Sequence, residues 1–286
     1  MADAPVRAIL LASCRDQRGI VAAVSDFVHR NGGNILDFDQ HSDVDDGTFL
    51  MRLSWDLAGF AIPREGILEA VRPIAARFGM HWEVRFSDHV PRMAIFVSKL
   101  DHCLFDLLWR LRIGELHAQV PFVIGNHAEL RAVVEGFGIP YFVHSFTTET
   151  KGAEEQAILR RLREADVELI VLARYMQVLG PAVVEAYPRR AINIHHSFLP
   201  AFAGAAPYER AHERGVKVIG ATAHYVTEEL DAGPIVEQDV ERVSHRHDVA
   251  ALQRIGRDIE RTVLARAVRW HLEDRVLADG NRTVVF

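Results

Sequence analysis

Ala191-Ile192-Asn193-Ile194-His195-His196-Ser197-Phe198-Leu199-Pro200 decides how the larger part of this chain is read. Its first half, 191–195, is a short apolar strand; its second half is a polar turn that ends on proline. Alternation along a strand puts Asn193 and His195 on the same face. Upstream, apolar runs recur at 93–98, 120–125, 140–144 and 167–173, separated by helical patterns at 102–112, 128–137 and 154–165. Strands alternating with helices predict a mainly parallel sheet covered on both faces. The expected architecture is therefore α/β and Rossmann-like over 93–286, with any ligand beyond the carboxyl ends of the strands. Downstream, strand-like runs at 216–226 and 234–241 precede a long helix at about 247–274 and a hairpin around Asp279-Gly280-Asn281.

The rhythm before residue 87 is different. A strand at 6–13 leads into a helix with Ile20, Val24, Phe27 and Val28 on one face, which Asn31-Gly32-Gly33-Asn34 ends because Gly and Asn accept the left-handed cap. Strands at 35–41 and 48–55 flank the hairpin signal Asp45-Asp46-Gly47. A helix at 63–78 and a strand at 81–86 follow. The order β-α-β-β-α-β is the ferredoxin-like, split-βαβ pattern of an α+β unit. The expected domains are 1–86, a linker at 87–92, and 93–286.

Composition narrows the function classes. The chain has 286 residues, 49% hydrophobic and 25% charged, as an ordinary globular protein has. A net charge of -6, with 33 Lys+Arg against 39 Asp+Glu and no basic block, argues against nucleic acid as a partner. Cys14 and Cys103 form no C-x-x-C pair, so no metal site is expected and a reducing compartment is. No apolar run approaches a membrane span and no signal-type segment follows the first residues, so the expected location is the cytoplasm. Neither G-x-G-x-x-G nor a P-loop is present, so no nucleotide cofactor is expected.

Asn193 and His195 can each donate a hydrogen bond to a developing oxyanion. Taken singly, they read equally well as a turn cap and a loop histidine. Downstream, His224-Tyr225-Val226-Thr227-Glu228-Glu229-Leu230-Asp231-Ala232-Gly233-Pro234 offers a carboxylate at Asp231 which, alone, reads as a turn residue.

Together the two segments resemble the folate-dependent formyltransferase-fold family, with its N-I-H-x-S-x-L-P followed by H-x-V-x-x-x-x-D-x-G. The separation here, 231 − 193 = 38 positions, suits the family's catalytic Asn, His and Asp. The N-terminal unit resembles an ACT domain. The family that joins both parts is the formyltetrahydrofolate deformylases, which this chain also resembles in Ser98-Lys99-Leu100-Asp101-His102-Cys103-Leu104, Asn126-His127 and Leu172-Ala173-Arg174-Tyr175-Met176-Gln177-Val178-Leu179.

That resemblance implies hydrolysis of 10-formyltetrahydrofolate to formate and tetrahydrofolate, with folate as substrate and product and no further cofactor. Asn193 and His195 would stabilise the oxyanion, and Asp231 would handle the proton of the attacking water, its pKa raised by burial beside an apolar folate cleft. Arg174, Met176, Gln177, Leu179, Val226, Glu228 and His224 would line or support the folate site. Asp16, Gly19, Asn31, Gly33 and Asn34 would form an effector site for methionine or glycine, in a homo-oligomer paired through the ACT-like sheet edges. Three rival readings stand: a formyltransferase to an amine acceptor, an amino-acid sensor with an inactive catalytic half, and a generic α/β binding protein, which would leave both motif matches as coincidence. Against the first, Lys99-Leu100-Asp101-His102 stands where glycinamide ribonucleotide transformylases have a Gly-Ser-Asn-type turn for the substrate phosphate. Ala203 and Gly125 depart from the family's usual Lys and Ser, and Gly125 is expected to loosen its turn.

Overall fold

The structure, a computed structural model, describes residues 5–147, 149–201 and 207–286. Ala203 lies outside them. The chain divides into two compact units: residues up to His89 with Glu273–Asp279 and Val284–Phe286, and Val90–Leu272 with Gly280–Thr283.

The first unit runs β1 (Arg7–Arg15), α1 (Ile20–Arg30), β2 (Ile35–Asp43), β3 (Thr48–Asp56), α2 (Ile67–Phe78) and β4 (His81–Phe86). Its sheet has the order β2-β3-β1-β4, with every neighbouring pair antiparallel. This is the split-βαβ topology. Alternation sends Leu10 and Ala12 of β1, and Met51, Leu53 and Trp55 of β3, to one face, where Val24 and Val28 of α1 and Ile67 and Val71 of α2 cover them. Gly47 closes the β2–β3 turn at φ 66°, in the left-handed region that glycine enters without strain. The second helix starts at Ile67 rather than 63: Pro63 is extended and a short 3-10 turn, Arg64–Gly66, intervenes.

Arg52 lies on the opposite face of β3, buried. It ion-pairs with Asp37, and its guanidinium donates to the backbone carbonyls of Asp274 (2.9 Å) and Glu273 (3.3 Å). That clip ties the segment after Leu272 to the first unit. Residues 273–279 and 284–286, expected with the second domain, group with the first, and the boundary falls between His89 and Val90. The polar partner of Arg52 is 222 positions away, so nothing local announced it.

The second unit contains β5 (Met93–Val97), α3 (His102–Arg112), β6 (Val123–Gly125), α4 (Arg131–Gly136), β7 (Tyr141–Val143), α5 (Lys151–Glu164), β8 (Leu169–Ala173), α6 (Pro181–Ala186), β9 (Ala191–His195), α7 (Pro207–Arg214), β10 (Val218–Tyr225), β11 (Ile235–Arg242) and α8 (Val249–Leu272); a hairpin, β12 (Val276–Asp279) and β13 (Arg282–Val285), follows. The seven-stranded sheet has the order β11-β10-β9-β8-β5-β6-β7. The five strands from β9 to β7 are parallel; β10 and β11 are antiparallel additions. Every residue of β5 and β8 is buried, as strands covered on both faces require. Ile158 and Leu162 of α5 and Val183 of α6 pack on Phe96, Ile124, Ile170 and Leu172, and α8 packs on β9, β10, β11 and α3. From β5 the strand order runs outward in one direction to β7 and in the other to β9. The switch point of the strand order lies between the carboxyl ends of β5 and β8, beside Ser98 and Arg174, where such folds place their ligands.

Local details differ from expectation. β6 is shorter than 120–125, since Pro121 has no N–H for a ladder. α5 begins at Lys151, where the backbone N–H groups of Thr147 and Thr150 each donate to the other's hydroxyl, at 3.0 and 3.2 Å. Two short helices, α6 and α7, each open on proline and add to the elements that periodicity predicts. Gly125 does not loosen its turn: a Cβ there would lie 1.7 Å from the Tyr141 hydroxyl, which donates to the carbonyl of His127. Among the described residues no helix is long and apolar enough to cross a membrane.

Asp274 sits at φ 52° with its carboxyl pushed up to about 6 by burial, against the opposing pull of Arg85 and Arg52. A carboxyl whose folded pKa is raised loses stability for the fold as pH climbs from its unfolded value toward the folded one. Asp274→Asn removes that penalty and suits the left-handed backbone. It is expected to stabilise the protein by about 1 kcal/mol at pH 7.5. Thermal melting should show the gain shrinking between pH 6 and 4.

Candidate active site

β9 and β10 pair antiparallel, and their register sets Asn193 opposite His224 and His195 opposite Thr222. The loop after β10 then brings Asp231 back against the same face. Nδ1 of His195 stands 3.2 Å from Oδ2 of Asp231, and Nε2 of His224 lies 3.5 Å from Oδ1. The amide Nδ2 of Asn193 is 3.2 Å from Nε2 of His224, whose Nδ1 faces the carbonyl of Tyr225 at 2.9 Å. The two sequence motifs thus converge on one carboxylate.

Proton positions follow from what each partner can accept. A carbonyl only accepts, so Nδ1 of His224 carries a hydrogen, and Nε2 of the same ring faces both the Asn193 amide and the Asp231 carboxylate. A carboxylate only accepts, so Nδ1 of His195 carries a hydrogen toward Asp231. Nε2 of His195 is buried without a hydrogen-bond partner among the described residues. It donates to a further group only when the ring is protonated. Hydrogen bonds from His195 and then His224 hold the Asp231 carboxyl well below the usual carboxylate range, outweighing burial. The expectation that burial would raise it is overturned: the histidines were not counted as donors.

The loop geometry is determined locally. Asp231 adopts φ 56°, which Asp tolerates better than most residues. A Cβ on Gly233 would come within 1.8 Å of the Tyr225 carbonyl, so the position two after Asp231 has room only for glycine. The turn after His195 is held by Thr222, fully buried, whose hydroxyl donates to the carbonyl of Ser197 (2.8 Å) and accepts from the N–H of Leu199 (3.0 Å). Gln238 Nε2 bonds the Leu199 carbonyl and the Thr222 hydroxyl.

The other expected site residues scatter. Met176 is 61% exposed and Gln177 half-buried, both on the segment after β8. Leu179 instead packs in the core beside Val183, and Val226 is partly buried against the same cluster, its N–H bonded to the Ala191 carbonyl. Glu228 is exposed. Arg174, expected to meet the folate, turns inward: its backbone is left-handed at φ 62° and its Nε lies 3.3 Å from the Glu260 carboxylate. In the first unit, Asp16 bonds the Gly47 carbonyl through its N–H, Asn31 caps its own helix at the Phe27 carbonyl, and Gly19 is left-handed at φ 94°. Asn34 is exposed, and a Cβ on Gly33 would meet Val28 at 2.7 Å.

Sequence reasoning missed a second polar layer. Glu260, 1% exposed in α8, accepts from the Tyr208 hydroxyl (2.7 Å) and stands 2.7 Å from Nε2 of His102. The signal was there: Glu260 lies on the buried stripe of Gly256, Ile259, Val263, Leu264 and Ala267. His102, Cys103 and Glu260 bring their ligating atoms within 4.8 Å of one another. As a metal site they are ill suited: His102 already bonds Glu260, Arg174 opposes a cation, and burial keeps the Cys103 thiol protonated.

Residues 91–268 match the formyl transferase family. A formyltetrahydrofolate deformylase from Synechocystis is 53% identical over 98% of this chain and 98% of its own. The chain belongs to the formyltetrahydrofolate deformylase family. A crystal structure of a formyltetrahydrofolate deformylase from Pseudomonas syringae pv. tomato superposes with a TM-score of 0.97 at 45% identity, covering 100% of this chain and 96% of that one. Glycinamide ribonucleotide transformylase 1 from Symbiobacterium toebii covers 70% of this chain and 96% of its own, at 30% identity and a TM-score of 0.66. The deformylase likeness thus spans both units, whereas the transformylase likeness takes in a smaller share of the chain.

Thr222→Val leaves the Leu199 N–H and the Ser197 carbonyl without their buried partner. A loss of about 1–3 kcal/mol is expected, read as a lower denaturant midpoint at an unchanged slope.

Proposed function

We propose that the chain hydrolyses 10-formyltetrahydrofolate to formate and tetrahydrofolate, with Asn193 and His195 as oxyanion donors and Asp231 as the group that holds and deprotonates water. One observation carries the assignment of roles: the His195–Asp231 pair leaves the buried Nε2 of His195 without a protein partner among the described residues. Protonated His195 donates from Nδ1 to Asp231 and from Nε2 to the oxygen that becomes negative as water adds to the formyl carbon. Asn193, held beside His224, donates an N–H to the same oxygen. Water loses a proton to Asp231, which returns it to the departing N10 as the C–N bond breaks. Asp231 is a weak base at rest because His195 compensates its charge. As the oxyanion forms on the other side of the imidazolium it competes for that compensation, and the carboxylate gains basicity as the proton must move.

Water as acceptor fits the start of α3, where Asp101 occupies the N-cap position and opposes the phosphate of a ribonucleotide amine. By family resemblance the exposed Met176 and the segment around it, with Val226 and Glu228, form the pterin side of the cleft. The N-terminal unit is read as an ACT domain, with methionine or glycine as effector near Asp16, Gly19, Asn31, Gly33 and Asn34. The edge strand β2 offers the open side through which such units pair into a homo-oligomer. The setting is the cytoplasm.

Removal of one oxyanion donor commonly costs about 10²–10³ in rate. Asn193→Ala is expected to lose that much turnover, and Asp231→Asn at least as much, in release of formate and tetrahydrofolate with no acceptor added. Formyl transfer to glycinamide ribonucleotide without such release would establish the amine-transfer reading instead; amino-acid binding with neither reaction would establish the sensor. Because Asp231 stays ionised far into acid, kcat/KM is expected to show no carboxylate limb between pH 6 and 5.

A further inference from the structure

Behind His195 the polar groups continue inward. The ring of His196 lies 5.0 Å from that of His195, and the ring of Tyr208 lies 6.2 Å beyond. The Tyr208 hydroxyl donates to Oε1 of Glu260, while Oε2 faces Nε2 of His102 at 2.7 Å and Nε of Arg174 at 3.3 Å. A single carboxylate at most 2% exposed gathers partners from α3, α7 and the end of β8. Each partner has a close relation to the site. Arg174 is the first residue after β8, and its carbonyl accepts from the N–H of Ser98, whose hydroxyl in turn accepts from the N–H of Met176. Tyr208 backs His196 and fills the space over Gly256, where a Cβ would come within 1.9 Å of its hydroxyl.

We propose that Glu260 is a positioning residue of the hydrolase: from α8 it fixes Arg174, His102 and Tyr208 behind the His195–His196 pair, and it neutralises the buried guanidinium that would otherwise disfavour a charged His195. The inference rests on the oxyanion role given to His195 above. Its geometry is accompanied by a charge relation. Burial first, then the charges of Arg174 and His195, push His196 down to about 4, while Glu260 and Asp231 oppose that shift. Arg174 and Glu260 therefore act with opposite signs on the imidazole next to His195. Asp231, with His224 beside it, and His196, the residue after β9, stand next to His195; behind His196 the charges of Arg174 and Glu260 reach it, and His102 on α3 bonds Glu260. Of these, Arg174 and Glu260 are a matched pair whose members can be removed singly or together.

The experiment is the pH profile of formate release by the full chain. His195 donates from Nε2 only when protonated, so its deprotonation sets the alkaline limb. Glu260→Gln leaves Arg174 uncompensated and is expected to lower kcat at least tenfold and to move that limb down by about one pH unit. Arg174→Met leaves the carboxylate uncompensated and is expected to move it up. The double variant, again neutral, is expected to return the limb to the wild-type position while kcat stays reduced, because Tyr208 and His102 have lost their acceptor. A residue of purely structural importance would alter melting temperature and leave the limb in place in all three. An unmoved limb in the single variants, or shifts of the same sign, overturns the proposal; should Glu260→Gln fail to fold, the upward shift in Arg174→Met and its cancellation in the double variant still decide it. Wild-type chain that releases no formate refutes the hydrolase reading itself, a result distinct from an active enzyme whose limb does not respond.

Discussion

The register of β9 against β10 is the constraint on which the site depends. Asn193 faces His224 across that ladder and His195 faces Thr222, so a slip of one residue would turn these side chains to the other face of the sheet. The parallel part of the sheet does not supply this arrangement. Only where the sheet turns antiparallel can a short loop carry the chain back along its own strand and deliver Asp231 to residues 38 positions earlier. Thr222 and Gln238 fix the turn after His195 from the adjacent strands, and Gly233 allows the returning loop to pass within contact of the Tyr225 carbonyl. The motif glycine is thus a matter of space, and the motif histidine a matter of register.

These two kinds of requirement explain what was legible in the sequence. Asn193, His195 and Asp231 could be read because their chemistry and spacing are compact, and the strands and helices because apolar periodicity is local. The split-βαβ unit was likewise visible, since Leu10, Val24, Met51 and Val71 each mark a buried face within their own element. What escaped depended on partners far along the chain. Arg52 in β3 clips the backbone at 273 and 274, which moves the C-terminal residues into the first unit. Arg174 is ligand-facing by the family resemblance, yet its partner is a glutamate on α8, 86 positions away. The sign of the Asp231 shift was missed for a related reason: burial was counted without the two histidines that donate to it.

Buried charge in this fold is arranged in two layers with a common logic. In the outer layer one carboxylate, Asp231, gathers two imidazoles; in the inner layer another, Glu260, gathers an imidazole, a guanidinium and a phenol. Deleting one member of such a group leaves the others desolvated and unpaired, which is costlier than the group's net worth to stability. Both layers are therefore poorly explained as stabilising devices and better explained as means of fixing orientation.

Arg174 is where this argument is sharpest. Its backbone sits at φ 62°, a conformation in which glycine would be free of strain and a long side chain is not. An arginine there costs conformational energy and a buried charge, and the Glu260 carboxylate offsets both by holding the guanidinium in place. The carbonyl of Arg174 accepts from Ser98, and the Ser98 hydroxyl accepts from the N–H of Met176, so the strained residue ties the ends of β5 and β8 together at the switch point of the sheet. A glycine would relieve the strain and keep that carbonyl, but it would leave Glu260 without the guanidinium. The Ser98 bonds fix the segment that follows, and the Glu260 pair turns the side chain inward, so that its charge falls on the His196 imidazole and not on the cleft side of the strand end.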